Sequence, residues 1–370
     1  MICPPERDFC SGLVPSNKLY MQTISSPSAA PLVTVIIPVY NAAAYVGEAI
    51  GSILNQTYRN LEVLVFNDGS KDNSAEIIRA MQAQDPRLKL FDSAENFGYV
   101  VHLNKGLELA QGKYIARMDA DDSALPERLA QQIAFLEANP AAGLCGTWFD
   151  IIGRPDIIER MPVTDAEIRL GLLANTAFAH PTVVMRAAVL REHGVKYDTH
   201  FMPAEDYYMW YKLSKFTQLG NIPQVLLHYR HHEGQISNYK SNRQRDRADE
   251  IRALQLSDYG FELTVDELAS YCKFMDNYLR PLEAADYGQM KRVMDKLVEQ
   301  NRRLKAFPVG DFEGFIHKTW KTAIYNIKQY SPALLRSLFF TRTRIANDAL
   351  GLSSNLRTLV KGLLFWKMRM

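Results

Sequence analysis

The 370-residue chain has only four cysteines, Cys3, Cys10, Cys145 and Cys272, and they are scattered. None has metal-ligand spacing, so a zinc centre or a disulfide framework is not expected; the expectation is reduced thiols in a cytosolic setting. No apolar run approaches the roughly 18 residues that span a bilayer. A secretory leader is also missing, since Glu6, Arg7 and Asp8 stand where an apolar core should be. The net charge is +2, too small to favour nucleic acid as a partner. What remains is ordinary globular composition, 47% hydrophobic and 23% charged, long enough for two domains or for one large domain with an appendage.

Residues 1–31 are rich in Ser, Pro and Ala and lack periodicity, which predicts a flexible leader. From Val33 the pattern alternates. The β-branched run in Val33–Asn41, which ends in Pro38 and Tyr40, and Leu61–Phe66, Leu88–Phe91 and Tyr114–Met118 read as buried strands. Helical periodicity separates them over 44–54, 72–83 and 101–110. Strand and helix in turn predict an α/β fold with a doubly wound, mostly parallel sheet. In such sheets ligands bind at the carboxyl ends of the strands. Three strands deliver candidates there: Pro38 and Tyr40 after the first, Asp68 after the second, and Asp119-Ala120-Asp121-Asp122 after the fourth.

Carboxylates so close together repel unless a cation or solvent takes up the charge. Asp-x-Asp spacing suits a hard divalent cation that also grips phosphate oxygens. The alternative is a polar loop capping the next helix near Pro126. Further on, the sequence predicts a helix over 126–139, an antiparallel or edge strand over 143–152, a strand over 178–185, and a helix after Pro203. Glu205 and Asp206 fall in that helix's first turn, a placement the helix dipole also favours by itself.

Four segments, in this order and spacing, resemble the family 2 glycosyltransferases of GT-A fold: Val35–Asn41, Val65–Asp72, Glu95-Asn-Phe-Gly98 and Met118–Asp122. The resemblance covers roughly residues 32–240 and implies an inverting transfer of sugar from a nucleotide donor. It makes Asp206 the general base with Glu205 in support. It places Tyr40 against the nucleotide base, Asp68 as acceptor for a base N–H (which favours a UDP-sugar), and Asp119 at the ribose or the metal's water shell. Asp121 would bind Mn2+ or Mg2+. Arg117 shares a face with Asp119 and balances its charge. Tyr229, Arg230 and His232 match the family's Tyr-Arg-x-His loop, with Arg230 on the diphosphate and His232 on the cation or its phosphates; a solvated histidine loop is the alternative. Pro38, Ala120, Asn96 and Lys105 complete the donor side. The family often has Ala-Arg-Asn where this chain has His102-Leu-Asn104, so Lys105 stands in for the missing arginine.

Residues 241–370 lose strand signals and read as a helical region. Its tail, 334–370, carries seven basic residues against one acid, with Phe339, Phe340, Phe365 and Trp366. That composition suits an anionic membrane surface, or else a helix packed on its own domain or a partner. The expected setting is the cytoplasmic face of a membrane, with a glycan or lipid-linked glycan as acceptor. Two other functions fit the Asp-x-Asp: a phosphohydrolase with Asp119 as nucleophile, whose motif normally follows the first strand and not the fourth, and a non-catalytic nucleotide-sugar or scaffold module.

Overall fold

The structure, a computed structural model, describes residues 30–232, 242–276 and 286–325. Residues 1–29 of the predicted leader and the basic tail 334–370 lie outside the described residues.

The chain begins β1 (Val33–Val39), α1 (Val46–Leu54), β2 (Leu61–Asp68), α2 (Ser74–Gln82), β3 (Leu88–Ser93), α3 (Tyr99–Leu109) and β4 (Tyr114–Arg117). Then follow β5 (Ser123–Ala124), α4 (Arg128–Ala138), β6 (Ala142–Ile151), β7 (Arg154–Glu159), α5 (Asp165–Leu172), β8 (Val184–Arg186), α6 (Ala187–Glu192), α7 (Glu205–Ser214) and β9 (Gln218–Tyr229). Four helices complete the described chain: α8 (Asn242–Asp258), α9 (Val265–Met275), α10 (Asp286–Leu304) and α11 (Val309–Tyr325).

The sheet runs β3-β2-β1-β4-β8-β6-β9-β5, with β7 paired to β6. Strands β1 to β4 are mutually parallel, Val33 lying opposite both Leu61 and Tyr114. All seven residues of β1 are buried, because helices cover both faces of the sheet. Val33, Val35, Ile37 and Val39 pack with Val46, Ile50 and Ile53 of α1 on one face. Ile36 packs with Val100 and Leu103 of α3 on the other. This alternation within one apolar run fixes the register.

Four sequence expectations change. The predicted strand over 178–185 is mostly a 3-10 turn, His180–Thr182, leaving only β8 in the sheet. Pro181 has no N–H to give a ladder, and β8 sits centrally between β4 and β6. Strand β6 is interior, since it is antiparallel to β7 and β8 but parallel to β9. Strand β9 escapes a periodicity reading because Pro223 and Gln224 are skipped: Thr147 pairs with Ile222, and Trp148 with Val225. Residues 226–229, read as part of a loop, are therefore the end of a strand. Finally, α4 starts at Arg128 with Glu127 as its N-cap residue, so Asp122 does not cap it.

Helices α8 to α11 build a separate apolar cluster around Phe274, Leu297, Phe312 and Trp320, which Leu170 and Leu173 at α5 join. Thr164 and Thr264 each close a capping box, with Glu167 and Glu267.

The turn after β2 has the tightest steric limit near the sheet's carboxyl edge. Gly69 has φ +69°, and an added Cβ would lie 2.7 Å from the Glu95 carbonyl carbon. Gly69→Ala therefore meets a backbone clash as well as an unfavourable φ. Urea denaturation should show a loss of about 2 kcal/mol or more; a loss below about 0.5 kcal/mol would mean that the turn and the 95–98 loop are not in contact.

Candidate active site

The parallel register brings the ends of β1, β2 and β4 to one edge. The Tyr40 ring there is 51% exposed, while Pro38 is buried beside Phe66 within the sheet. Asp68 is 2% exposed and turned into its own chain. Its Oδ1 accepts from Phe97 N (2.7 Å) and His102 Nε2 (2.7 Å), and its Oδ2 from Gly98 N (3.0 Å). The carboxylate thus fastens the 95–98 loop and the first turn of α3. Gly98 takes φ +90° as the N-cap of that helix. Asn96 is exposed on the same loop. Lys105 is exposed on α3 and pairs with Glu108 at 3.3 Å.

Asp119, Asp121 and Asp122 offer carboxylate oxygens that all lie within 4.8 Å of one another. Arg117 Nη1 donates to Asp119 Oδ2 at 2.5 Å. Ala120 between them is buried. Asp122 is fully buried; its Oδ1 accepts from Arg230 N at 2.9 Å, and its Oδ2 has no partner among the described residues. The end of β9 closes over this corner. His232 Nε2 meets Asp121 Oδ2 at 2.8 Å, and Arg230 Nε donates to the Asp121 carbonyl at 2.7 Å. Arg230 also pairs with Glu48 (2.7 Å) and lies 4.7 Å over the Tyr45 ring, which is 5.2 Å from the His232 ring.

Burial raises the pKa of Asp119, Arg117 pulls it back, and Asp121 adds to the rise. Burial also lifts Asp122 well above the carboxylate range, with Asp119 and Asp121 adding to the effect. Arg128 lies buried beneath, donating to the Arg117 carbonyl, and burial brings it down to about 9. Clustered carboxylates, a buried oxygen without a partner and an adjoining imidazole fit a hard divalent cation. Asp119, Asp121, Asp122 and His232 are the residues that would hold it.

A second acid pair stands at the start of α7. Glu205 is 3% exposed; its Oε1 accepts from Tyr99 Oη at 2.8 Å, and its Oε2 is without a partner among the described residues. Asp206 is half-buried, and its Oδ1 accepts from Tyr207 N at 2.7 Å. Burial pushes Glu205 up to about 7, with the Asp206 charge adding to the rise. Burial pushes Asp206 up to about 6, and Arg117 opposes the shift. Raised carboxyl pKa values beside a buried guanidinium are what acid–base chemistry can use. Arg117 is 5% exposed, and its Nε has no partner among the described residues. Its charge acts on both acid groups.

Several residues of this basin carry no sequence signal of their own. His102 stood out only as a departure from the family's Ala-Arg-Asn, and Asn104 only as its matching Asn. Asn104 instead holds Tyr197 by its backbone N–H and carbonyl (3.0 and 2.9 Å). His180 Nε2 bonds the Tyr197 hydroxyl at 2.9 Å, and burial keeps that imidazole neutral. Tyr45, Glu48 and Tyr99 reach the site only through the fold.

Residues 34–194 match the family description "Glycosyl transferase family 2". An uncharacterized glycosyltransferase of Haemophilus influenzae is 34% identical over 247 residues, 64% of this chain and 76% of the relative. The Escherichia coli UDP-Glc:alpha-D-GlcNAc-diphosphoundecaprenol beta-1,3-glucosyltransferase WfgD is 30% identical, over 56% of this chain and 81% of its own. Among solved structures, Staphylococcus aureus TarS 1–349 in complex with UDP-GlcNAc aligns with a TM-score of 0.54 and 16% identity, over 80% of this chain and 88% of that one. Pyrobaculum calidifontis mannosyltransferase PcManGT, in complex with GDP-Man and Mn2+, aligns with a TM-score of 0.51 and 19% identity, over 91% and 88%. At these identities the structural likeness speaks for the fold.

The raised Asp206 pKa has a consequence for stability. A carboxyl whose folded pKa, about 6, exceeds its unfolded value of about 4 favours folding when protonated. It costs stability increasingly as pH rises through that window. Asp206→Asn should therefore raise Tm by about 2–4 °C at pH 8, with the gain shrinking toward pH 4.5. Calorimetry showing a lower Tm at pH 8 would contradict the buried, charge-strained placement.

Proposed function

Because the chain belongs to glycosyl transferase family 2 and is a glycosyltransferase, we propose that it transfers a sugar from a nucleotide-sugar, a UDP-sugar by preference, to a hydroxyl of a glycan or lipid-linked glycan, with inversion and with a bound Mn2+ or Mg2+. The observation that carries this reading is the division of the basin: a cation-suited acidic corner on one side of Arg117 and a buried Glu205–Asp206 pair on the other. Family membership replaces the phosphohydrolase and scaffold alternatives. The name of the E. coli relative, with its UDP-Glc donor and diphosphoundecaprenol acceptor, supports the donor and acceptor classes. The Mn2+ in the PcManGT complex supports the cation.

In this reading the exposed Tyr40 ring lies against the nucleotide base. Asp68, held by loop amides and His102, shapes the wall the base meets. Asp119, oriented by Arg117, faces the ribose side. Arg230 gives its guanidinium to a diphosphate oxygen. The ion, when bound, supplies positive charge against the leaving diphosphate. On the other side Asp206 is ionised at neutral pH, since its pKa is about 6. It takes the acceptor hydroxyl's proton as the oxygen attacks the anomeric carbon. The bond to the diphosphate oxygen breaks on the opposite face, so one displacement inverts the centre, and the proton stays on Asp206.

No helix among the described residues is long and apolar enough to cross a membrane. A lipid-linked acceptor would be met at a membrane surface, and the basic, aromatic stretch 334–370 suits an anionic surface at the cytoplasmic face.

Asp206→Asn should reduce transfer by about 10²–10⁴-fold while UDP affinity stays within about twofold; transfer at the wild-type rate would remove Asp206 as the base. Deleting residues 334–370 should release the protein from anionic liposomes in a flotation assay, and undiminished binding would remove the membrane assignment.

A further inference from the structure

Helix α3 touches both halves of the basin through its first two turns. On the donor side, Asp68 binds Phe97 N, Gly98 N and His102 Nε2, thereby bracketing Tyr99 in the chain. On the acceptor side, Asn104 takes two backbone bonds from the segment at Tyr197, and the Tyr99 hydroxyl donates to Glu205 Oε1 at 2.8 Å. Tyr99 is the first residue of α3 and Glu205 the first of α7, so this contact joins two helix starts more than a hundred residues apart.

Among the described residues, Tyr99 is the side-chain donor to Glu205. The second Glu205 oxygen is buried without a partner among those residues, so one oxygen is fixed by the Tyr99 hydroxyl and the other is held in the interior beside Asp206. The groups that face it are Asp206 beside it on α7, Tyr99 from α3, Arg117 from β4, and Tyr197. Of these, Tyr99 makes the directional bond. Helix α3 is also anchored by Asp68 and by Asn104, through bonds that do not involve the Tyr99 hydroxyl. Removing it leaves the ring, which packs against the core cluster on that face of the sheet.

We propose that Tyr99 is a positioning residue for the transfer reaction: its hydroxyl fixes the Glu205 carboxylate beside Asp206, and its place in the Asp68-clamped turn ties that carboxylate to the donor pocket. This rests on the reading of Glu205 and Asp206 as the acceptor-activating pair. Tyr99 sets the orientation and ionisation of Glu205 without itself touching the reacting atoms. A carboxylate that loses its donor is worse off charged, so its pKa moves up from about 7.

The test uses the full-length protein with Tyr99→Phe. Turnover should fall about tenfold, equivalent to about 1.4 kcal/mol of barrier, with the Kd for UDP unchanged within about twofold. The limb of the pH–rate profile that follows Glu205 should move to higher pH. A carboxyl ¹³C NMR titration of Glu205, assigned with Glu205→Gln, should move the same way. An unmoved Glu205 titration, or a loss of UDP affinity as large as the loss of turnover, overturns the proposal. The titration needs no turnover. If Asp206→Asn retained transfer, the base assignment would fall while the titration would still decide whether Tyr99 governs Glu205.

Discussion

Arg117 is the charge on which the basin depends. It ends β4, buried in the middle of the sheet, and its bond to Asp119 gives one carboxylate of the acidic corner a fixed partner. Burial works against its charge, yet Asp119 holds its pKa above the usual value. The same guanidinium lowers the pKa of both Glu205 and Asp206 and helps keep His180 neutral. One cation thus balances two acid groups that would otherwise repel each other across a small, poorly solvated space. It does not balance them fully. Asp122 stays well above the carboxylate range, and a buried oxygen stays without a partner among the described residues. Three carboxylates drawn so close together are the physical case for a divalent ion there.

The rest of the catalytic fold brings groups to Arg117 from distant parts of the chain. The parallel ladder of β1, β2 and β4 sets three strand ends side by side. Strand β9 delivers Arg230 and His232 onto Asp121, over a hundred residues earlier in the chain. Helix α3 spans from Asp68 to Glu205, and Tyr45 and Glu48 flank Arg230 from α1. The contacts to Asp68, Asp122 and Glu205 each fix a polar side chain that burial alone would destabilise. Some stability is given up for that: the carboxyls of α7 are more stable protonated than in the ionised form that abstracts a proton.

The first four strands were legible because both faces of each are covered, so their apolar runs are continuous and bounded by turn residues. The acidic corner was legible because carboxylates crowded at a strand end repel one another unless a cation or solvent takes up their charge. Strand β9 was not, since the bulge at Pro223 breaks its period. Nor was the turn at His180, where Pro181 interrupts an apolar run that otherwise reads as a strand. The roles of aspartates were the hardest to separate. Asp68 at a strand end has the same local pattern whether it faces a ligand or its own loop amides, and only the fold shows the amides and His102 on it. Asp122 read equally well as a helix cap, yet its helix starts six residues later and the carboxylate is buried under Arg230 N. Tyr99 carried no signal, because its partner lies on another helix.

The central claim is that the corner around Asp121 is completed by a divalent cation shared with a nucleoside diphosphate. Electron paramagnetic resonance of Mn2+ titrated into the protein, with and without UDP, addresses it directly. A single bound ion per chain is expected, held more tightly when UDP is present and lost in Asp121→Asn. An absence of bound Mn2+, or binding indifferent to both UDP and Asp121, would contradict it.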